Sequence, residues 1–239
     1  MLHGSLADLA RGPAHRVAGG ERRSVKDLIE SLGVPHTEVA AVTVDAAPVD
    51  LSDPVSGGEA VEVLPPDVPG ARRVGRWLLP EPPDPRRFVL DVHLGTLARR
   101  LRLLGFDCWY RTAAEDQFLA AVAVEQARIL LTRDRQLLMR REISHGYCPR
   151  SDDPDRQLTE VAERYGLATR AHPLTRCGAC NAVLEPVTAD QVAAQVPPRT
   201  LRATHRYARC TGCGQVYWPG SHMPAIHRIL RAGGVELSP

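Results

Sequence analysis

The sequence predicts an α/β chain in three modules: a small mixed head, a body with a parallel sheet flanked by helices, and a cysteine-rich C-terminal ribbon. Three observations carry that expectation. Apolar runs of strand length alternate with amphipathic stretches of helix length between residues 88 and 134. Seven prolines crowd residues 65–87 and separate the head from the body. Two Cys-x-x-Cys pairs stand 29 residues apart near the C-terminus.

The head is assigned to residues 1–64. Ser24 starts a helix, its hydroxyl placed to accept a backbone N–H, with Asp27 in the first turn. Val25, Leu28, Ile29 and Leu32 share a helical face, and Gly33 with Pro35 ends it. Residues 40–44 alternate into a turn at 45–48, and Gly57-Gly58 precedes a closing strand at 60–64. One helix among short strands in this length resembles the ubiquitin-like β-grasp. Residues 65–87 read as a semi-rigid, extended linker.

The body, 88–170, opens with Phe88, Val89 and Leu90, a buried-strand run that ends in Asp91. Leu94, Leu97, Ala98, Leu101 and Leu104 then trace an amphipathic helix closed by Gly105, with Arg99, Arg100 and Arg102 on its polar side. A second strand at 107–111, a helix at 117–126 and a third strand at 128–132 follow, the last leading into Arg133 and Asp134. Ligands of parallel α/β sheets bind beyond the carboxyl ends of the strands, so Asp91 and Asp134 are expected on one edge.

Asp91, Asp116 and Asp134 admit two readings. Asp at a strand end or helix start caps the following turn. Converging carboxylates instead repel one another unless a cation lies between them. Hard oxygen donors favour Mg²⁺ or Mn²⁺, which can hold a phosphodiester and activate water for in-line hydrolysis. Glu125, Asp152, Asp153 and Asp155 are candidates for a fourth acid, and His93 is expected to face solvent.

In the ribbon, 171–239, Cys177 with Cys180 and Cys210 with Cys213 can each give two thiolates to one tetrahedral Zn²⁺. The intervening segment holds a helix at 188–196 whose Thr188 and Gln191 are spaced for a capping box. Cys108 and Cys148 are expected to be inert thiols. Tyr207, Tyr217 and Trp218 with Arg202, Arg206 and Arg209 form either a base-stacking platform or the module's small core.

The strand-end Asp91, the stretch Leu94-Gly95 to Gly105-Phe106-Asp107, Asp116 and the run 129–135 together resemble the PIN-like RNase fold. More narrowly they resemble the family named for the C-terminal RNase domain of the Mut-seven exonuclease. Arg176 and Asn181 around the first cysteine pair, Tyr217, Trp218, Gly220, Ser221 and His222, and an N-terminal ubiquitin-like module match that family's arrangement. The likeness covers about residues 20–64 and 88–227. It implies a metal-dependent ribonuclease with Asp91, Asp116 and Asp134 as the metal-binding acids, 5′-phosphate products and RNA as partner. A non-catalytic RNA-binding or adaptor protein is the alternative, and the head implies a protein partner. Sulfur carriers of the β-grasp class end in a free Gly-Gly, whereas here the last strand runs into Pro65-Pro66, which argues against that role.

Charge and hydropathy set the outer bounds. A net charge of +2 conceals a head with 5 basic against 10 acidic residues and a stretch from 88 onward with 20 against 15. All basic residues but Lys26 are Arg, whose fork suits phosphate, although base composition can produce the same bias. No run of about 18 apolar residues exists, so a membrane span is excluded. Asp8 interrupts the N-terminal apolar stretch, and the expected compartment is the cytoplasm.

Overall fold

The computed structural model describes residues 22–68 and 71–236; residues 1–21 of the expected head lie outside them. Arg23–Ser24 forms β1 and Val25–Ser31 forms α1. Ser24 Oγ accepts the Asp27 N–H at 3.0 Å, a cap worth about 1 kcal/mol. Gly33 then takes φ +83, which a side-chain-bearing residue reaches only with strain. Strands β2 (Ala41–Val44), β3 (Ala47–Pro48), β4 (Pro54–Val55) and β5 (Val61–Leu64) complete the head. β3, β2 and β5 form an antiparallel sheet in that order, and β1 pairs with β4. Val25, Leu28 and Ile29 of α1 close on Val34, Val39, Val42 and Val55.

The linker residues are less extended than their prolines suggest. Ala71–Val74 forms a 3-10 turn, and the Leu78 N–H donates to the Ala40 carbonyl at 2.8 Å. Leu78 packs against the head's core. Apolar side chains between the prolines gain about 25 cal/mol per Å² by burial, and the head offers the surface.

From residue 87 the chain runs β6 (Arg87–Leu90), a 3-10 turn over Val92–Leu94, α2 (Gly95–Leu103) and β7 (Asp107–Tyr110). β6 and β7 pair in parallel from Arg87↔Asp107 to Leu90↔Tyr110. Gly105, between α2 and β7, has φ +94, and a Cβ there would sit 2.1 Å from the His172 carbonyl oxygen. Gly105→Ala should therefore cost roughly 2–5 kcal/mol in urea denaturation, from left-handed strain and overpacking together. Wild-type stability in that variant would show that the backbone yields at this crossing.

Next come α3 (Asp116–Glu125), β8 (Ile129–Leu131), α4 (Arg135–Leu138) and β9 (Gly146–Tyr147). β8 and β9 are parallel, with Leu130↔Gly146 and Leu131↔Tyr147. All three β8 residues are fully buried, as an interior parallel strand requires. α5 (Pro154–Tyr165) follows, then β10 (Leu184–Val187), α6 (Ala189–Val192), α7 (Pro198–Ala203), β11 (Tyr207–Cys210), β12 (Val216–Tyr217) and α8 (Met223–Ala232). β10, β11 and β12 make the antiparallel ribbon sheet. The capping box of Thr188 and Gln191 is present, on a helix that stops at Val192.

The chain packs as two compact units, Met1–Pro83 with Glu115–Arg150, and Asp84–Ala114 with Ser151–Pro239. In the first, the head is joined to residues 143–150. His36 Nε2 lies 2.9 Å from the Ile143 carbonyl oxygen, and the Glu38 carboxylate accepts the Cys148 N–H at 2.9 Å. In the second, the ribbon is built onto α2 and β7.

Candidate functional site

Each of the three predicted acids sits at an element boundary. Asp91 directly follows β6, is 8% exposed, and its Oδ1 accepts the Val92 N–H at the start of the 3-10 turn. Asp134 precedes α4. Its Oδ1 accepts the Gln136 N–H at 2.8 Å, and its own N–H donates to Thr132 Oγ1 at 2.9 Å. Asp116 is the first residue of α3 and is exposed, while Glu115 holds the cap position with no side-chain bond. Capping thus accounts for one oxygen of Asp91 and of Asp134. A carboxylate offers about four lone-pair positions, so a capped Asp retains the capacity to ligate a metal. Asp116 and Asp134 belong to the first unit and Asp91 to the second.

Two of the candidate fourth acids, Asp153 and Asp155, have other occupations. Asp153 caps α5, accepting the Asp155 and Arg156 N–H groups at 2.9 Å each, and hydrogen bonds from that backbone hold its carboxyl below the usual range. Asp155 pairs with Arg100 at 3.1 Å and Arg228 at 3.5 Å. Glu125 lies on a shallow exposed face of α3 beside Gln117 and Arg140. His93 is exposed, as expected.

The cysteine quartet is fully assembled. The sulfurs of Cys177, Cys180, Cys210 and Cys213 all lie within 4.8 Å of one another, with 3.7 Å from Cys177 to Cys213 and 3.2 Å from Cys180 to Cys210. A tetrahedral site with Zn–S bonds of about 2.3 Å places its sulfurs about 3.8 Å apart, so the quartet fits zinc. Each knuckle turns through a left-handed residue directly after its second cysteine, Asn181 at φ 73 and Gly214 at φ 73. Burial pushes the Cys177 thiol up, but hydrogen bonds from the Tyr217 hydroxyl and from the Cys180 and Ala179 N–H groups outweigh it and bring it to about 6. The Ala182 N–H favours the Cys180 thiolate, but burial and hydrogen bonds with Cys210, Cys177 and Cys213 outweigh it and push that thiol up to about 12, so without a metal the four sulfurs share their protons unequally.

Sequence reasoning missed what fixes this quartet to the body. Arg102, expected on the polar side of its helix, is only 4% exposed. Its Nε and Nη2 donate to the Cys108 carbonyl at 3.2 and 2.8 Å, and Nη1 donates to the Gly178 and Ala179 carbonyls at 3.2 and 2.9 Å. Burial lowers its pKa, and nearby thiols and Asp107 oppose that shift. Asn181 makes the second tie, accepting the Cys108 N–H at 2.9 Å and donating to Asp107 at 2.8 Å. A tetrathiolate zinc site keeps net negative charge, and the Arg102 guanidinium against its first knuckle offsets it.

Two of the three aromatic residues belong to the module's small core. Tyr207 is buried with Val192 and Val196, Trp218 packs against them, and the Tyr207 hydroxyl donates to the Thr204 carbonyl at 2.8 Å. Tyr217 faces the cysteine quartet, its hydroxyl 3.0 Å from Cys177 Sγ. The basic character lies elsewhere: residues 191–235 contain six Arg, three His and no Asp or Glu. Arg199, Arg202, His205 and Arg206 are all exposed on or just after α7. No helix among the described residues is long and apolar enough to cross a membrane.

Comparison with known proteins agrees with this construction. The family described as the Mut7-C RNAse domain matches residues 86–230, and that described as Mut7-C ubiquitin matches residues 2–69. No curated protein and no solved structure matches the chain. The α/β body, the cysteine quartet and the head preceding them, with the first match alone spanning more than half of the sequence, place the chain in the Mut7-C RNAse domain family, in the form that carries an N-terminal Mut7-C ubiquitin domain.

Proposed function

We propose that the protein is a divalent-metal-dependent ribonuclease that hydrolyses RNA phosphodiester bonds in the cytoplasm, with Asp91, Asp116 and Asp134 holding Mg²⁺ or Mn²⁺. The RNAse-domain match over residues 86–230 carries the reading. The donor set suits it, since three carboxylates are hard oxygen ligands of the kind those ions take. A bound ion would polarise the scissile phosphate and lower the pKa of an attacking water. The chain's own contribution is orientation: backbone N–H groups of Val92 and Gln136 each fix one oxygen of Asp91 and Asp134. Labelled RNA tests this directly. Protein stripped of loosely held ions with EDTA should be inert and regain cleavage with Mn²⁺ or Mg²⁺, leaving 5′-phosphate ends. Salt-dependent RNA binding with no hydrolysis under any divalent ion would favour the non-catalytic RNA-binding reading instead.

The acid-free stretch supplies the RNA contact in this reading. Arg199→Gln, Arg202→Gln and Arg206→Gln together should weaken RNA binding and flatten the plot of log affinity against log salt by about two to three units, since each phosphate contact contributes about 0.7–0.9. An unchanged slope in filter-binding assays would place the RNA on another surface.

A further inference from the structure

The Glu38 carboxylate is 4% exposed, in a 3-10 turn of the ubiquitin-like head, and both of its oxygens are engaged by a segment more than 100 residues away. Oε1 accepts the Cys148 N–H at 2.9 Å, and Oε2 accepts from Arg150 Nη2 at 2.8 Å, while Arg150 Nη1 donates to the Tyr147 hydroxyl at 2.9 Å. The residues so held are the end of β9 and its exit. Through β9 the contact continues to the Asp134 turn by two routes. The Thr132 N–H donates to the Tyr147 carbonyl at 3.2 Å, and Thr132 Oγ1 in turn receives the Asp134 N–H at 2.9 Å. Cys148 Sγ approaches the carbonyl of Arg133, the residue before Asp134, at 4.0 Å. His36, two residues before Glu38, adds a second anchor at 2.9 Å from the Ile143 carbonyl oxygen and is itself held by Glu30 at 2.7 Å.

We propose that Glu38 is a positioning residue for Asp134: the head clamps residues 147–150, and that clamp sets the orientation of the Asp134 turn and hence the divalent-metal affinity of the nuclease. The inference rests on the assignment of Asp134 to the metal site. It gives the head a partner, which is the nuclease's own chain. A buried carboxylate with both oxygens satisfied is costly to leave half-paired, so the clamp is specific in geometry and not a general apolar contact. Its effect on the metal is indirect: it holds residues 147–150, these hold Thr132, and Thr132 Oγ1 receives the Asp134 N–H.

The test uses the full chain with Glu38→Ala and the isosteric Glu38→Gln. Glu38→Ala should raise the Mn²⁺ concentration for half-maximal RNA cleavage by up to roughly tenfold, the lower end of what loss of a group bonded directly to a metal ligand costs. Glu38→Gln, which keeps an acceptor for the Cys148 N–H, should recover part of that loss. Amide exchange by mass spectrometry gives a readout independent of activity. Protection in a peptide spanning 132–138 should fall about tenfold in Glu38→Ala, while a peptide spanning 25–34 stays protected. Wild-type Mn²⁺ dependence and wild-type protection at 132–138 would overturn the proposal. So would loss of protection over 25–34 in both variants, which makes Glu38 a folding residue of the head. Failure of the underlying assignment looks different: cleavage then survives Asp134→Asn in an otherwise wild-type chain.

Discussion

Asp134→Asn is expected to lower RNA cleavage by about 10³-fold or more while leaving the fold, the zinc content and RNA affinity in place. The substitution separates the two roles that its position allows. Asn caps a helix about as well as Asp, and its carbonyl oxygen can still accept the Gln136 N–H now held at 2.8 Å. If capping were the whole purpose, the variant would behave as wild type. As a metal ligand it loses the negative charge that makes a carboxylate a hard donor, and the rate should collapse. Asp153→Asn provides the internal comparison. Asp153 caps α5 in the same manner, with two backbone N–H bonds of 2.9 Å, and has no part in the proposed site. That variant should retain full cleavage with a stability change within a few tenths of a kcal/mol. Equal rates for Asp134→Asn, Asp153→Asn and the unchanged chain, measured at saturating Mn²⁺, would sink the acidic-cluster assignment.

The parts legible in the sequence are those in which neighbouring residues decide the outcome. Ser24 announces α1 because its hydroxyl reaches an N–H three residues on, and Thr188 with Gln191 announces α6 by the same local logic. The two cysteine pairs were legible because each pair's turn is local, and a tetrahedral ion then requires the pairs to meet. α5 escaped notice although its signals were present. Asp153 caps it, Pro154 stands at its first position, Gly166 ends it at φ 61, and Leu158, Val161, Ala162 and Tyr165 form its buried face. Reading residues 152–155 as possible metal ligands hid the cap. Arg102 and Glu38 were not legible for a different reason. An Arg one residue past Leu101 looks solvated until the distant carbonyls of Gly178 and Ala179 join that of Cys108, six residues on, around it. Glu38 is an ordinary surface acid until residues 148 and 150 arrive. Long-range polar partners leave no periodic trace in the chain that carries them.

Arg102 carries the other large effect. Arg102→Met should destabilise the full chain by about 3–5 kcal/mol and speed zinc loss to a chelator, although residue 102 is no zinc ligand. Methionine fills the space left by the aliphatic stem but donates nothing. The buried carbonyl of Cys108 then loses its donor where water does not readily replace it, at about 1–3 kcal/mol, and the part-buried carbonyls of Gly178 and Ala179 lose the tie that holds the knuckle to the helix. The first knuckle also loses the cation that balances its thiolates. Arg102→Lys should rescue little, because an ammonium cannot fork to carbonyls on two separate segments. Acidity should act in the same direction. Zinc competes with protons for the thiolates, and the Cys177 thiol lies at about 6, so chelator-driven zinc release should accelerate as pH falls from 7.5 through 6. In Arg102→Met the rise should begin at higher pH, since a lost neighbouring cation makes the thiolate harder to form. Zinc-release kinetics followed by a colorimetric chelator across that range, alongside urea denaturation, decide the matter. An Arg102→Met chain with unchanged midpoint and unchanged release would mean that Asn181, through its bonds to Cys108 and Asp107, holds the knuckle alone.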